Sequence, residues 1–142
     1  MSSTISVASA PDLARRALPW LLLLYGSASL LHFAHNAEYL AQYPNLPPSW
    51  SRTDVYLAWC SVTTIGVLGY FLYKQAYRRL GLLVLALYAG LGFAGLLHYT
   101  RAPFHHHTAS MNLTILTEVA AASLLLIDVA SIAMRYAKPK DT

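Results

Sequence analysis

Residues 80–99 read LGLLVLALYAGLGFAGLLHY, twenty positions without one Asp, Glu, Lys or Arg. At ~1.5 Å of rise per residue, a helix of that length covers the ~30 Å hydrocarbon thickness of a bilayer. A helix that is apolar on every side belongs in lipid or deep inside a large protein. A chain of 142 residues leaves little room for the second choice. Working outward, the pattern recurs over 18–43, 55–73 and 109–134. The expected fold is all-α: residues 1–142 form a single integral membrane domain, a four-helix transmembrane bundle with spans at 18–43, 55–73, 80–99 and 109–134.

Local signals punctuate these spans. Pro44, Pro47 and Pro48 close the first, and Asp54 is an expected N-cap for the second. The short polar link from Lys74 to Arg79 predicts a tight antiparallel hairpin, and Pro103 breaks the chain before the fourth span. Composition agrees. Hydrophobic residues make up 56% and charged residues 11%, against ~25% charged in soluble domains. With a mean hydropathy of +0.43, this excludes an ordinary soluble domain and a disordered chain. The single cysteine, Cys60, excludes an intrachain disulfide and any Cys₂ or Cys₄ metal site.

Lysine and arginine set the expected orientation. Arg15, Arg16, Lys74, Arg78, Arg79, Arg135, Lys138 and Lys140 fall on one side, Arg52 and Arg101 on the other. The positive-inside rule then places both termini in the cytoplasm and the Pro-rich and His-rich loops outside. The net charge of +4 and pI near 9.3 are thereby read as anchors beside membrane lipid, not as a nucleic-acid patch. Arg15-Arg16 before Leu21–Leu24 resembles a signal peptide, but the apolar run continues past Leu31, and His35 spoils the cleavage site around Ala37. The expected location is a multi-pass position in a bacterial inner (cell) membrane.

The polar residues inside the spans carry the functional reading. An ionisable group at mid-span costs roughly 2.5–3.5 kcal/mol on insertion scales, so it needs a partner or a task. In the first span His32, His35, Asn36 and Tyr39 share one helical face, and Glu38 lies ~60° beyond His35. By helical rise, His32 and His35 lie roughly 16 and 12 Å below the outer end, and Glu118 roughly 14 Å below its own. His98 ends the third span, and His105, His106 and His107 occupy the outer loop. All six histidines therefore sit in the outer half. Stripes of Tyr56, Trp59, Thr63, Gly66 and Tyr70, and of Tyr88, Gly92, Gly95 and His98, read as walls.

Imidazole and carboxylate from several helices suit a divalent transition metal, Zn, Fe, Mn or Cu. The expected ligands are His32, His35, His98, Glu38 and Glu118, with His106 standing for whichever member of the triple histidine folds over the site. Asn36, Tyr39 and Thr114 would orient them. An open metal position would permit catalysis or redox work on an apolar substrate. Two other readings stand beside this one. The first is a non-enzymatic accessory subunit of a membrane-protein partner or homo-oligomer, with His32 and His35 hydrogen-bonded to Glu118. The second is a haem held between His35 and His98. Asp128 stands apart in the inner half, paired with Ser131 or Arg135. The sequon at Asn112 overlaps a helix start and is discounted.

Overall fold

A computed structural model describes the backbone of residues 10–47 and 49–137, with side chains from Ala17 onward. Pro48, Lys138, Lys140 and the side chains of Arg15 and Arg16, used above for span ends and orientation, lie outside the described residues. The described chain is all-helical and without strands. Helix α1 is Ala10–Glu38, α2 Arg52–Lys74, α3 Arg78–Leu91, α4 His98–Arg101 and α5 Ala109–Ala137. A 3₁₀ segment, Gly92–Leu97, joins α3 to α4, so Arg78–Arg101 acts as one span. Four helices are thus long and apolar enough to cross a membrane.

Two departures from the sequence reading, at the end of the first helix and the cap of the second, have clear local causes. The first helix stops at Glu38, not at residue 43. Tyr39 leaves helical geometry, and a 3₁₀ turn over Leu40–Gln42 brings Tyr43 back against α1. There the Tyr43 hydroxyl meets His35 Nδ1 at 2.9 Å, so the last turn is exchanged for a buried side-chain contact. The cap of α2 is Ser51 rather than Asp54. Ser51 Oγ accepts from the Asp54 amide while Asp54 accepts from the Ser51 amide, a capping box with the acid at its third position.

Helices α1, α3 and α5 form the core through Leu18, Tyr25, Leu85, Tyr88, Ala122 and Leu125. Helix α2 flanks α3 across the tight hairpin expected from Lys74–Arg79 and buries only Val55, Gly66 and Gly69. Glycine makes the hairpin possible. A Cβ on Gly66 would lie 2.6 Å from the Tyr88 ring, and one on Gly81 would strike the Tyr73 backbone. The outward surfaces carry Leu23, Leu31, Val67, Phe71, Leu83 and Ile127, all exposed. Water would penalise apolar surface of that extent, whereas lipid would not.

The third span changes pitch where it meets the polar cluster. In an α-helix His98 would sit ~120° around from Gly92. The 3₁₀ segment, at three residues per turn, stacks Gly92, Gly95 and His98 in one line. Gly92 and Gly95 are both buried. A Cβ on Gly92 would meet Ala122 at 2.6 Å and the Tyr25 hydroxyl at 2.7 Å. The small residues let the span approach α1 and α5 closely, and the tighter winding carries His98 into the same interface.

Candidate functional site

His32 on α1 and Glu118 on α5 face each other, being 3% and 2% exposed. His32 Nε2 and Glu118 Oε2 are 3.7 Å apart, beyond hydrogen-bonding distance. The Thr114 hydroxyl donates to the Met111 carbonyl at 3.0 Å, which leaves its oxygen to accept from His32 Nδ1, 3.4 Å away. In the neutral tautomer that donates from Nδ1 to Thr114, His32 turns the lone pair of Nε2 toward Glu118 Oε2. With Glu118 ionised, two acceptors then face each other in a buried site. A cation between them would satisfy both. Gly95 closes the third side: a Cβ there would lie 3.4 Å from Glu118 Oε2 and 3.7 Å from His32 Nε2.

His98 completes the inner ring of groups. Its ring centroid is 5.5 Å from that of His32 in an edge-on arrangement, and Asn36 Nδ2 approaches its Nε2 at 3.4 Å. His107 lies above it, with the two ring centroids 6.2 Å apart. His107 Nδ1 donates to the Pro103 carbonyl at 3.2 Å, so its Nε2 carries a lone pair. That atom is buried and has no hydrogen-bond partner. A histidine held by one ring nitrogen to a backbone carbonyl, with the other bare, is oriented as metal-ligating histidines are. Asn112 holds the loop in place, its amide donating to the Phe104 and His107 carbonyls at 3.2 and 3.4 Å. The buried amide is occupied by the fold, in keeping with discounting the sequon.

The remaining expected ligands go elsewhere. His35 is half-buried and turns to Tyr43 and to the Tyr39 ring, 4.7 Å away. Burial pushes the Tyr43 hydroxyl up to about 12, so it keeps its proton and can share it with His35. The Tyr43 ring also lies 5.0 Å from that of His98, between the two histidines expected to hold a haem. Glu38 forms an ion pair with Arg52 and accepts from the Tyr56 hydroxyl at 2.8 Å, tying α1 to α2. His106 is exposed, with its ring against His105 at 4.5 Å. The triple histidine is represented by His107 instead. Cys60 is exposed on α2. Ser131 donates to the Ile127 carbonyl, not to Asp128, whose Oδ2 is buried without a hydrogen bond and whose carboxyl interacts electrostatically with Arg135, the other expected partner.

No three His, Cys, Asp or Glu side chains among the described residues already stand as a group able to hold a metal ion. The arrangement is a facing pair, His32 and Glu118, with His98 and His107 stacked above it. Sequence reasoning missed Tyr43 and left open which member of the triple histidine turns toward the site. For His107, a signal existed in Pro103 four residues before it, which supplies the carbonyl that orients the ring. For Tyr43 there was none, because its role depends on the chain reversing after α1.

Fold and site together define a class in structural terms: a small helical bundle with four helices of membrane-crossing length and a buried His/Glu cluster at one end. Comparison with protein families, with characterised proteins and with solved structures finds no match for this chain.

Proposed function

We propose that this chain is a multi-pass protein of a bacterial cell membrane, with both termini cytoplasmic, whose outer-end cluster binds one divalent transition metal. His32 Nε2 and Glu118 would hold the ion, with His98 and His107 as the further ligands. The observation carrying this reading is the 3.7 Å separation of two buried side-chain atoms able to ligate a metal, His32 Nε2 and Glu118 Oε2. Ligands ~2.1 Å from a tetrahedral ion stand ~3.4 Å apart, so a small closure of α1 on α5 suffices. His98 must turn its Nε2 from Asn36. Glu38, His35 and His106 are not ligands in this reading. The mixed nitrogen and oxygen set suits Zn, Fe, Mn or Cu(II). An ion there with an open position would supply Lewis acidity or an activated water.

The test is elemental analysis of untagged protein purified without chelator. About one equivalent of metal is expected, falling below a tenth in His32→Ala and Glu118→Gln with helical content unchanged. Wild-type protein holding less than a tenth of an equivalent, and taking up none from added Zn²⁺, Mn²⁺, Fe²⁺ or Cu²⁺, would end the reading. The cluster would then be a polar lock between helices, as in an accessory subunit.

A further inference from the structure

At the end of the bundle opposite the histidines, two clefts lie on either side of Tyr136. One, of about 220 Å³, is bounded by Lys74, Arg78, Tyr70, Tyr73 and Tyr136, with Leu18 and Pro19 of α1 behind. The other, of about 530 Å³, runs between α3 and α5 along Leu82, Leu83, Ala86, Val129 and Ala133, with Arg79 at its mouth. The first cleft is polar and cationic, whereas the second is apolar except at its entrance. From Arg79 to Ala86 the apolar groove extends ~10 Å along the helix axis, the direction in which a lipid chain runs. Lys74, Arg78, Arg79 and Arg135 are the cations with described side chains at this end, and Asp128 is the acid with a described side chain in this half of the bundle; the sequence adds Arg15, Arg16, Lys138 and Lys140 against Asp12 and Asp141.

We infer that this end binds an anionic glycerophospholipid. Its phosphate head sits in the Lys74/Arg78 cleft and one acyl chain in the α3–α5 groove, with Arg79 between them. Charge decides the occupant. Lysine and arginine outnumber Asp12, Asp128 and Asp141 at this end of the chain, so a zwitterionic lipid satisfies the two flanking cations and the third at the groove mouth less well than a net anion. Tyr70 of α2 lines the same cleft, and its hydroxyl adds a donor for a phosphate oxygen. Basic pockets between membrane helices that recognise lipid headgroups are built in this way. The 530 Å³ groove falls in the size range of built ligand sites. This inference rests on the membrane assignment above but is independent of the metal.

Native mass spectrometry of the full chain released from detergent tests it, with phosphatidylglycerol, phosphatidylcholine and inorganic phosphate as separate probes. Phosphatidylglycerol is expected to be retained ~10-fold better than phosphatidylcholine, and the preference to shrink toward unity in Lys74→Gln/Arg78→Gln. Arg79→Gln alone, a milder change on an exposed residue, lowers retention ~3- to 5-fold. Ala86→Phe, which fills the groove, lowers phosphatidylglycerol binding while leaving the cations intact. Equal retention of both lipids, or a preference that survives the double substitution, overturns the proposal. So does displacement of the lipid by millimolar phosphate alone, since that would describe a simple anion cleft. A protein that stays monomeric in detergent-free buffer would instead overturn the membrane assignment itself.

Discussion

Glu118→Gln separates the metal reading from a structural one by the sign of its effect. Glu118 Oε2 and His32 Nε2 stand 3.7 Å apart, both almost fully buried, and in the metal reading they are an ionised carboxylate facing a ring-nitrogen lone pair. Glutamine removes a buried charge and presents an N–H donor to that lone pair. A buried hydrogen bond of this kind contributes ~0.5–1.5 kcal/mol, worth ~1–6 °C for a chain of this size. The chelator-treated variant is therefore expected to melt higher than chelator-treated wild type. With metal at ~100 times its Kd, wild type gains ~2.7 kcal/mol, or ~5–11 °C, and the variant gains almost nothing. The assay is thermal unfolding in a fixed detergent, with and without metal. A structural His32–Glu118 ion pair predicts the reverse in metal-free protein, because removing one partner of a buried pair costs ~3–5 kcal/mol. A chelator-treated variant that melts below wild type, with no metal shift in wild type, would refute the argument.

Four further outcomes follow from particular contacts. His107→Ala is expected to weaken metal binding ~10- to 100-fold and His106→Ala to leave it unchanged, as read by metal titration. Gly66→Ala drives a Cβ into the Tyr88 ring, 2.6 Å away, and is expected to cost ~1–3 kcal/mol, visible as an earlier thermal transition. Ser51→Ala removes the capping box of α2 at a cost of ~1 kcal/mol, with no change in metal content. For orientation, a cysteine placed at His106 in a Cys60→Ala background should react with a membrane-impermeant thiol reagent in intact cells. One placed at Ala76, in the α2–α3 link, should not.

Much of the fold was legible because its signal is collective. Long apolar runs bounded by proline and by basic residues define helices whatever the neighbouring helices do, and residues 80–99 sufficed for one of them. The capping box of α2 was legible too, had Ser51 and Asp54 been read as a pair rather than Asp54 alone. The site was legible only by depth. Equal distances from the span ends brought His32 and Glu118 to one level, and they do face each other. Depth does not give azimuth, however, and Glu38 turned to Arg52 and Tyr56 although it lies near the histidine face. His35, on that face itself, turned to Tyr43.

Sequence by itself determined that this protein is helical, how many helices reach membrane length, and that its histidines gather at one end. Those properties depend on hydropathy and rise per residue, which are additive along a chain. Tertiary structure alone decided which histidines meet the buried glutamate. The 3₁₀ winding of Gly92–Leu97 swings His98 into line with Gly92 and Gly95, and the Pro103 carbonyl turns His107 inward. Both are choices of angle made by close contact between helices, and a pattern of residue types holds no record of them until the chain has folded on itself.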